Sequence, residues 1–281
     1  MTENKKKITL VTGATSGIGY ATANGLLKAG HRVLLLGRSE EHLIRAYRSL
    51  QNLHSGANIK TVLCDLSSMT SIRNAAAILN NDLEYLDVLI NNAGSFASKR
   101  RVTADGFEWQ LGINHLGHFY LTNLLLPLLK NSGQGRIINM SSGSHYNGKM
   151  HWKDLQLKHY RSLKSYGQSK LANVLFTYEL ARRLKNTKIT VNAVDPGLVN
   201  TDMGEKDTGF LTRFIWSKRK KRGGSPELGA STSVFLATSE EGGINSGLYW
   251  KYCKPVTSSK RSYNMDDQKR LWEISSILCE M

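Results

Sequence analysis

The stretch Thr12 to Gly19, TGATSGIG, constrains this chain most. It joins an apolar run, Ile8 to Val11, to a run of helical spacing that begins near Ile18. Gly13, Gly17 and Gly19 stand in a G-x-x-x-G-x-G spacing. Glycine reaches φ > 0 and has no Cβ, so Gly13 suits a tight turn, while Gly17 and Gly19 let a phosphate and a helix approach the backbone. A helix starting here presents free N–H groups and a positive dipole end to an anion. The stretch predicts the first βα turn of a doubly wound sheet, with a pyrophosphate site. Its spacing differs from G-x-G-x-x-G, and a glycine-rich turn without a ligand explains the same letters, so the rest of the chain decides.

Length and charge narrow the choice. The 281 residues contain no Pro- or Ser-rich linker, which predicts one α/β domain over 1–281. A chain of this size buries roughly three quarters of its unfolded surface and needs no staples. Cys64, Cys253 and Cys279 are odd in number and widely spaced, pointing to a reducing cytoplasm without disulfides or zinc. Lys5, Lys6 and Lys7 lead straight into the first strand, so no signal peptide or anchor is expected before it, and no stretch reaches the ~18 apolar residues of a membrane span. A net charge of +16 suits nucleic acid, an anionic membrane, a polyanionic cofactor, or simply a basic soluble surface. The densest run, Lys218 to Arg222, follows Phe210, Leu211, Phe214, Ile215 and Trp216, a pattern an interfacial segment can use. The other cations are scattered, which argues against specific nucleic-acid binding.

Strand-like and helix-like runs then alternate. Ile18, Ala21, Leu26 and Ala29 share a helix face that Gly30 closes. Arg32 to Leu36 reads as a strand buried on both faces, ending in Gly37-Arg38, where an Arg favours a 2′-phosphate or is a solvated loop cation. Ile59 to Cys64 brings Asp65-Leu66 to the carboxyl edge, although Asp65 equally suits a cap for a helix beginning near Thr70. Asp87 to Ile90 runs into Asn91-Asn92-Ala93-Gly94, where small residues allow close backbone approach and the Asn side chains can tie strands together. A long helix is expected from Phe107 to Lys130, bent at Pro127; Asn114 lies inside it, where an Asn commonly points outward.

Arg136 to Met140 delivers Ser141-Ser142 to the same edge. Gly143 to Ser165 has no clear period and reads as a substrate-facing loop, and its His145, His151 and His159 lack metal spacing. Tyr166 and Lys170 are i and i+4 on the next helix, so their polar ends can be neighbours; an isolated pair of this kind is usually surface. Ile189 to Val194 leads into Asp195-Pro196-Gly197 and on to Thr201. A helix over 226–238, a strand over Gly247 to Lys251 and a C-terminal helix over Asp266 to Leu278 follow, the last with Leu271, Ile274, Ile277 and Leu278 as its inner face.

Together, TGATSGIG, NNAG, Asn114 in the long helix, the Ser pair, the Tyr166-to-Lys170 spacing and PGLVNT resemble the short-chain dehydrogenase/reductase family, in its order and from Ile8 to about Tyr252. NHLGHFYLT, SKLANVLFTYELARRL and GLYW are similar to its retinol-dehydrogenase-like branch. The resemblance implies an α/β Rossmann fold with strand order 3-2-1-4-5-6-7 and helices on both faces. It also implies an oxidoreductase that transfers a hydride between NADP(H) and a hydrophobic aldehyde, ketone, alcohol or retinoid-like substrate. NAD(H) is the lesser cofactor, and an NADP-binding sensor is the alternative.

The family's catalytic tetrad falls on Asn114, Ser142, Tyr166 and Lys170, with Ser141 the alternative for the serine. Cofactor contacts are implied at Gly13, Ser16, Gly17, Ile18, Gly19, Arg38, Asp65, Leu66, Asn91, Ala93 and Gly94. Further along they fall on Tyr166, Lys170, Pro196, Gly197, Val199 and Thr201. Residues 204–224 are expected to form a lid over the substrate, with 210–222 also suited to peripheral contact with an anionic membrane, and 253–281 a C-terminal extension. Assembly as a homo-oligomer is compatible with all of this, and the expected location is the cytoplasm.

Overall fold

The computed structural model describes residues 6–199 and 224–281. Its sheet has the order β3-β2-β1-β4-β5-β6-β7-β8. The strands are β1 (Ile8–Thr12), β2 (Arg32–Gly37), β3 (Ile59–Leu63), β4 (Val88–Asn91), β5 (Arg136–Met140), β6 (Thr190–Asp195), β7 (Tyr249–Lys251) and β8 (Lys254–Pro255). All neighbours through β7 pair in parallel, as the apolar runs predict; the β7–β8 pair is antiparallel, a two-residue addition that the sequence reading lacked. Leu10, Leu34, Leu89, Ile137 and Val191 fill the core on one sheet face, and Val11, Val33, Leu35, Ile90 and Ile138 fill it on the other.

Helices cover both faces, because each parallel crossover must return over the sheet. Between β1 and β2 runs α1 (Gly17–Lys28), followed by α2 (Glu40–Leu53) and α3 (Met69–Asp82) after the next two strands. Gly30 lies one residue beyond the α1 C-cap, Ala29, with φ +83°. The cap of α3 is Ser68, whose side chain accepts from Ser71 N, so Asp65 does not cap this helix. The expected long helix is three pieces: α4 (Trp109–Leu111), a π-helical turn (Gly112–Leu116) and α5 (Gly117–Asn131), which contains Pro127. Downstream are α6 (Ser162–Arg183), α7 (Pro226–Thr238), α8 (Glu240–Ile244) and α9 (Met265–Leu278).

The C-terminal helix docks differently from its apolar pattern. Leu271 is 2 % exposed, whereas Ile277, expected on the inner face, is 75 % exposed. The helix instead turns Trp272 onto Phe119 and Phe176, with ring centres 5.0 and 6.0 Å apart, and Ser275 onto His115 at 2.9 Å. Arg183 lies over the Trp272 ring at 4.2 Å. An indole and a buried hydroxyl outrank an isoleucine here because a cationic and aromatic seat awaits them. Accordingly, Leu271→Ala should cost about 2–5 kcal/mol in urea unfolding, whereas Ile277→Ser should stay within about 0.5 kcal/mol. The reverse ranking would contradict this docking.

Candidate active site

The glycine turn stands at the topological switch point between β1 and β4, where open α/β sheets bind ligands. Gly13 has φ +66°, and a Cβ there would come within 3.0 Å of Ala93 Cα. Gly17 has φ +54°. A Cβ on Gly19 would lie 2.2 Å from Gly13 O and 2.5 Å from Asn92 Nδ2, so only glycine fits. Ser16 is the exposed N-cap of α1 and makes no side-chain cap bond, and the first turn carries no acid. The helix N-terminus therefore keeps donors and positive potential for an anion.

The rest of this cradle is tied together by hydrogen bonds. Thr12 Oγ1 accepts from Ala93 N at 2.9 Å, and Asn92 Nδ2 donates to Thr12 O at 2.8 Å. Asn91, expected at the cofactor, turns its amide into the sheet, donating to Thr122 Oγ1 and Asn139 Oδ1, both at 2.8 Å. Its side chain is an architectural tie. Arg38 follows β2, is exposed and has no hydrogen-bond or ion-pair partner among the described residues. Asp65 Oδ1 accepts from Ser67 N and Ser67 Oγ, which fixes the Asp65-Leu66 turn at the carboxyl end of β3. Gly94 is half-buried beyond β4. Val199 pairs with Gly224 in an isolated bridge, and a Cβ on Gly229 would meet Val199 Cγ2 at 2.6 Å and Ile18 Cγ1 at 3.2 Å. Ile18 and Val199 thus both pack against Gly229 of α7, the helix that lies on α1. Thr201, residues 204–223 of the expected lid and the 210–222 segment lie outside the described residues.

Four side chains on three elements lie beside this cradle: Asn114 in the π turn, Ser142 after β5, and Tyr166 and Lys170 together on α6. On α6, Lys170 Nζ lies 5.6 Å from the Tyr166 ring centre. Lys170 is 2 % exposed, and burial lowers its ammonium to about 8. Its Nζ donates to Met140 O at 3.2 Å, next to the serine pair. Ser141 Oγ is spent on Lys170 O at 2.9 Å, whereas Ser142 is half-buried and caps the 3₁₀ turn Gly143–Asn147 through Ser144 N. Tyr166 meets Phe96 edge-on at 5.7 Å.

Asn114 is fully buried in the π turn rather than facing outward. Its Oδ1 accepts from Ser95 N at 2.7 Å; its Nδ2 donates to Ser95 O and to Ser169 Oγ, both at 3.0 Å. The irregular turn aims the amide at α6 instead of solvent, and π turns recur at functional sites. His118, missed in the sequence, joins Asn114 to the glycine cradle. Its Nδ1 lies 3.1 Å from Asn114 O and its Nε2 2.9 Å from Thr12 Oγ1. A carbonyl only accepts, so Nδ1 carries the proton and Thr12 donates to Nε2. Burial holds His118 neutral, with its pKa lowered to about 4. The four-residue step from Asn114 to His118 on one helix is the signal that would have found it.

The sheet order and the glycine cradle at the switch point define a Rossmann-type dinucleotide-binding protein. Comparison with known proteins narrows this. The family model for short chain dehydrogenases matches residues 7–209. Retinol dehydrogenase 13 of Homo sapiens is 40% identical over 283 residues, spanning 97% of this chain and 84% of that protein. Polyprenol dehydrogenase of Homo sapiens is 39% identical, spanning 98% and 84%. A solved protein from Mycobacterium paratuberculosis superposes with a TM-score of 0.77 at 31% identity, covering 98% of this chain and 94% of that one. A Pseudomonas aeruginosa protein solved as an NADP active-site complex gives 0.68 at 27% identity, covering 87% and 94%. The chain belongs to the short-chain dehydrogenase family and is an oxidoreductase with retinol-dehydrogenase-like relatives.

Proposed function

We propose that this chain is an NADP(H)-dependent oxidoreductase acting on hydrophobic aldehydes, ketones or the corresponding alcohols, with Tyr166 as the acid and base. The observation that carries the proposal is the buried Lys170, its Nζ 5.6 Å from the Tyr166 ring centre and hydrogen-bonded to Met140 O beside the serine pair, on the same sheet edge as the glycine turn. The residues fit a dinucleotide: Gly13, Ser16, Gly17, Ile18 and Gly19 would hold its pyrophosphate. Asp65, Leu66, Ala93 and Gly94 would line the adenosine side, and Pro196, Gly197 and Val199 the nicotinamide. When bound, the nicotinamide supplies or takes up the hydride at its C4.

The chain's own groups handle the proton and the orientation. Tyr166 Oη gives a proton to the substrate oxygen in reduction and takes it back in oxidation. A free phenol, with a pKa of about 10, is a poor base near neutrality. The Lys170 ammonium stabilises the phenolate and so lowers that barrier. Ser142 donates a hydrogen bond to the substrate oxygen and holds it beside Tyr166. Asn114, steadied by His118, holds a water that links Lys170 to solvent.

Arg38 supports the preference for NADPH over NADH. Its guanidinium is exposed at the end of β2, and Gly37 before it offers no acid to repel a 2′-phosphate. A charge-assisted hydrogen bond contributes about 1.5–3 kcal/mol, or about ten- to a hundredfold in affinity. Fluorescence titration should therefore show wild type binding NADPH the more tightly, and Arg38→Ala losing that margin while keeping its NADH affinity. Equal binding of both cofactors by wild type, or an unchanged ratio in the variant, would remove Arg38 from this role.

A further inference from the structure

The β7–β8 hairpin breaks the usual turn chemistry. Lys251 pairs with Lys254, so the connection is only Tyr252 and Cys253, and both have positive φ, 52° and 57°. A two-residue hairpin with this backbone favours Asn-Gly or similar pairs, because a Cβ crowds the left-handed conformation. Tyrosine and cysteine are costly choices there. The turn is nevertheless pinned. Lys251 Nζ lies 3.5 Å from Oδ2 of the buried Asp195 and 5.3 Å from the Tyr252 ring centre. Cys253 N donates to Thr232 Oγ1 at 3.1 Å.

Tyr252 lies against Gly197, where a Cβ would come within 3.0 Å of the Tyr252 hydroxyl. Gly197 itself has φ +76° and leaves the ring room. Yet Tyr252 is 55 % exposed, so burial does not offset the strain. Local rules broken without a gain in packing mark functional positions.

The surroundings say which function. Asp195 Oδ1 accepts from Gly197 N at 2.9 Å, and Oδ2 faces Gly143, the neighbour of Ser142, at 3.5 Å from a Cβ placed there. Tyr146, in the turn that Ser142 caps, also feels this pair: burial and then Asp195 push its phenol up, and Lys251 opposes them. Tyr252 therefore shares one corner of the carboxyl edge with the Ser142 turn and the Pro196-Gly197 loop.

We propose that Tyr252 is a substrate-selecting residue, whose ring, held out beside Gly197, forms a wall for the flat, unsaturated part of a carbonyl substrate. This rests on the oxidoreductase function proposed above. A rigid conjugated group gains ring contacts without the rotamer ordering that a saturated chain undergoes.

The test uses two non-reducible carbonyl probes, cinnamamide and hexanamide, titrated calorimetrically into the NADPH-saturated protein. Wild type should bind cinnamamide about three- to tenfold more tightly, the range that an aromatic contact supplies. Tyr252→Phe should keep that ratio and Tyr252→Asn should bring it to about one. Because Asn tolerates the left-handed backbone, Tyr252→Asn should melt no lower than wild type. An unchanged ratio in Tyr252→Asn overturns the proposal, as does the absence of any preference or amide binding in wild type. The NADPH titration that precedes the probes separates the two failures: normal NADPH binding with an unaltered ratio sinks the role of Tyr252 alone, whereas no NADPH binding sinks the dinucleotide function as well.

Discussion

Tyr166→Phe is expected to lower kcat/KM for every carbonyl substrate by about 10² to 10⁴, the range that a positioned acid or base contributes. NADPH affinity should stay within a few-fold and the melting temperature close to wild type. The variant keeps the ring and its edge contact with Phe96, so only the proton carrier is lost. Near wild-type turnover would remove Tyr166 from the mechanism. A large fall in melting temperature would show instead that its hydroxyl serves the fold. Lys170 provides a contrasting case, since its Nζ also holds Met140 O beside the Ser141-Ser142 pair. Met140 O keeps the Asn173 Nδ2 donor at 3.0 Å, but deleting a side chain that is only 2 % exposed leaves a void, so Lys170→Ala should injure stability as well as turnover.

Gly19→Ala should be the most damaging single methyl in the cofactor cradle. The added carbon would stand 2.2 Å from Gly13 O and 2.8 Å from Gly13 C, both backbone atoms of the turn that must cradle the anion. Neither can swing aside as a side chain would, so the turn has to open. The expected cost is roughly 1–3 kcal/mol of stability, as for other overpacked sites. NADPH affinity should fall at least tenfold, or about 1.4 kcal/mol. Gly30→Ala is the control. Nothing lies within 4 Å of its Cβ, although its φ of +83° makes alanine strained. It should lose about 1–2 kcal/mol of stability through backbone strain alone and bind NADPH as wild type does. If the two variants bind NADPH equally well, the close approach at Gly19 is not what shapes the cradle.

The sequence carried the sheet because the signals there are local. Apolar runs such as Arg32 to Leu36, each followed by turn residues and then a helical period, dictate parallel strands with crossovers, and Gly13, Gly17 and Gly19 mark where the backbone must pack tightly. Tyr166 and Lys170 were readable as neighbours for the same reason, since one helical turn brings them together. What escaped depends on contacts distant in sequence. Asn114 reads as an outward mid-helix residue until Ser95 and Ser169 are brought to it by a π turn that no period announces. Ile277 fits the inner face of a helical wheel, yet Trp272 wins that face because Phe119, Phe176 and Arg183 provide its seat. Asp65 has cap chemistry, but the chain turns at Ser67 first and leaves Ser68 to do the capping. The β7–β8 turn was illegible for a different reason: Tyr252-Cys253 is a pair that local turn rules argue against.

The most direct measurement is the decay of the nicotinamide absorbance band when purified protein is mixed with NADPH and a panel of hydrophobic aldehydes and ketones, run beside Tyr166→Phe. The proposed function predicts decay with at least one hydrophobic carbonyl, slower with NADH and lost in Tyr166→Phe. Decay that is equally fast in Tyr166→Phe, or NADPH binding without decay against the whole panel, would contradict it.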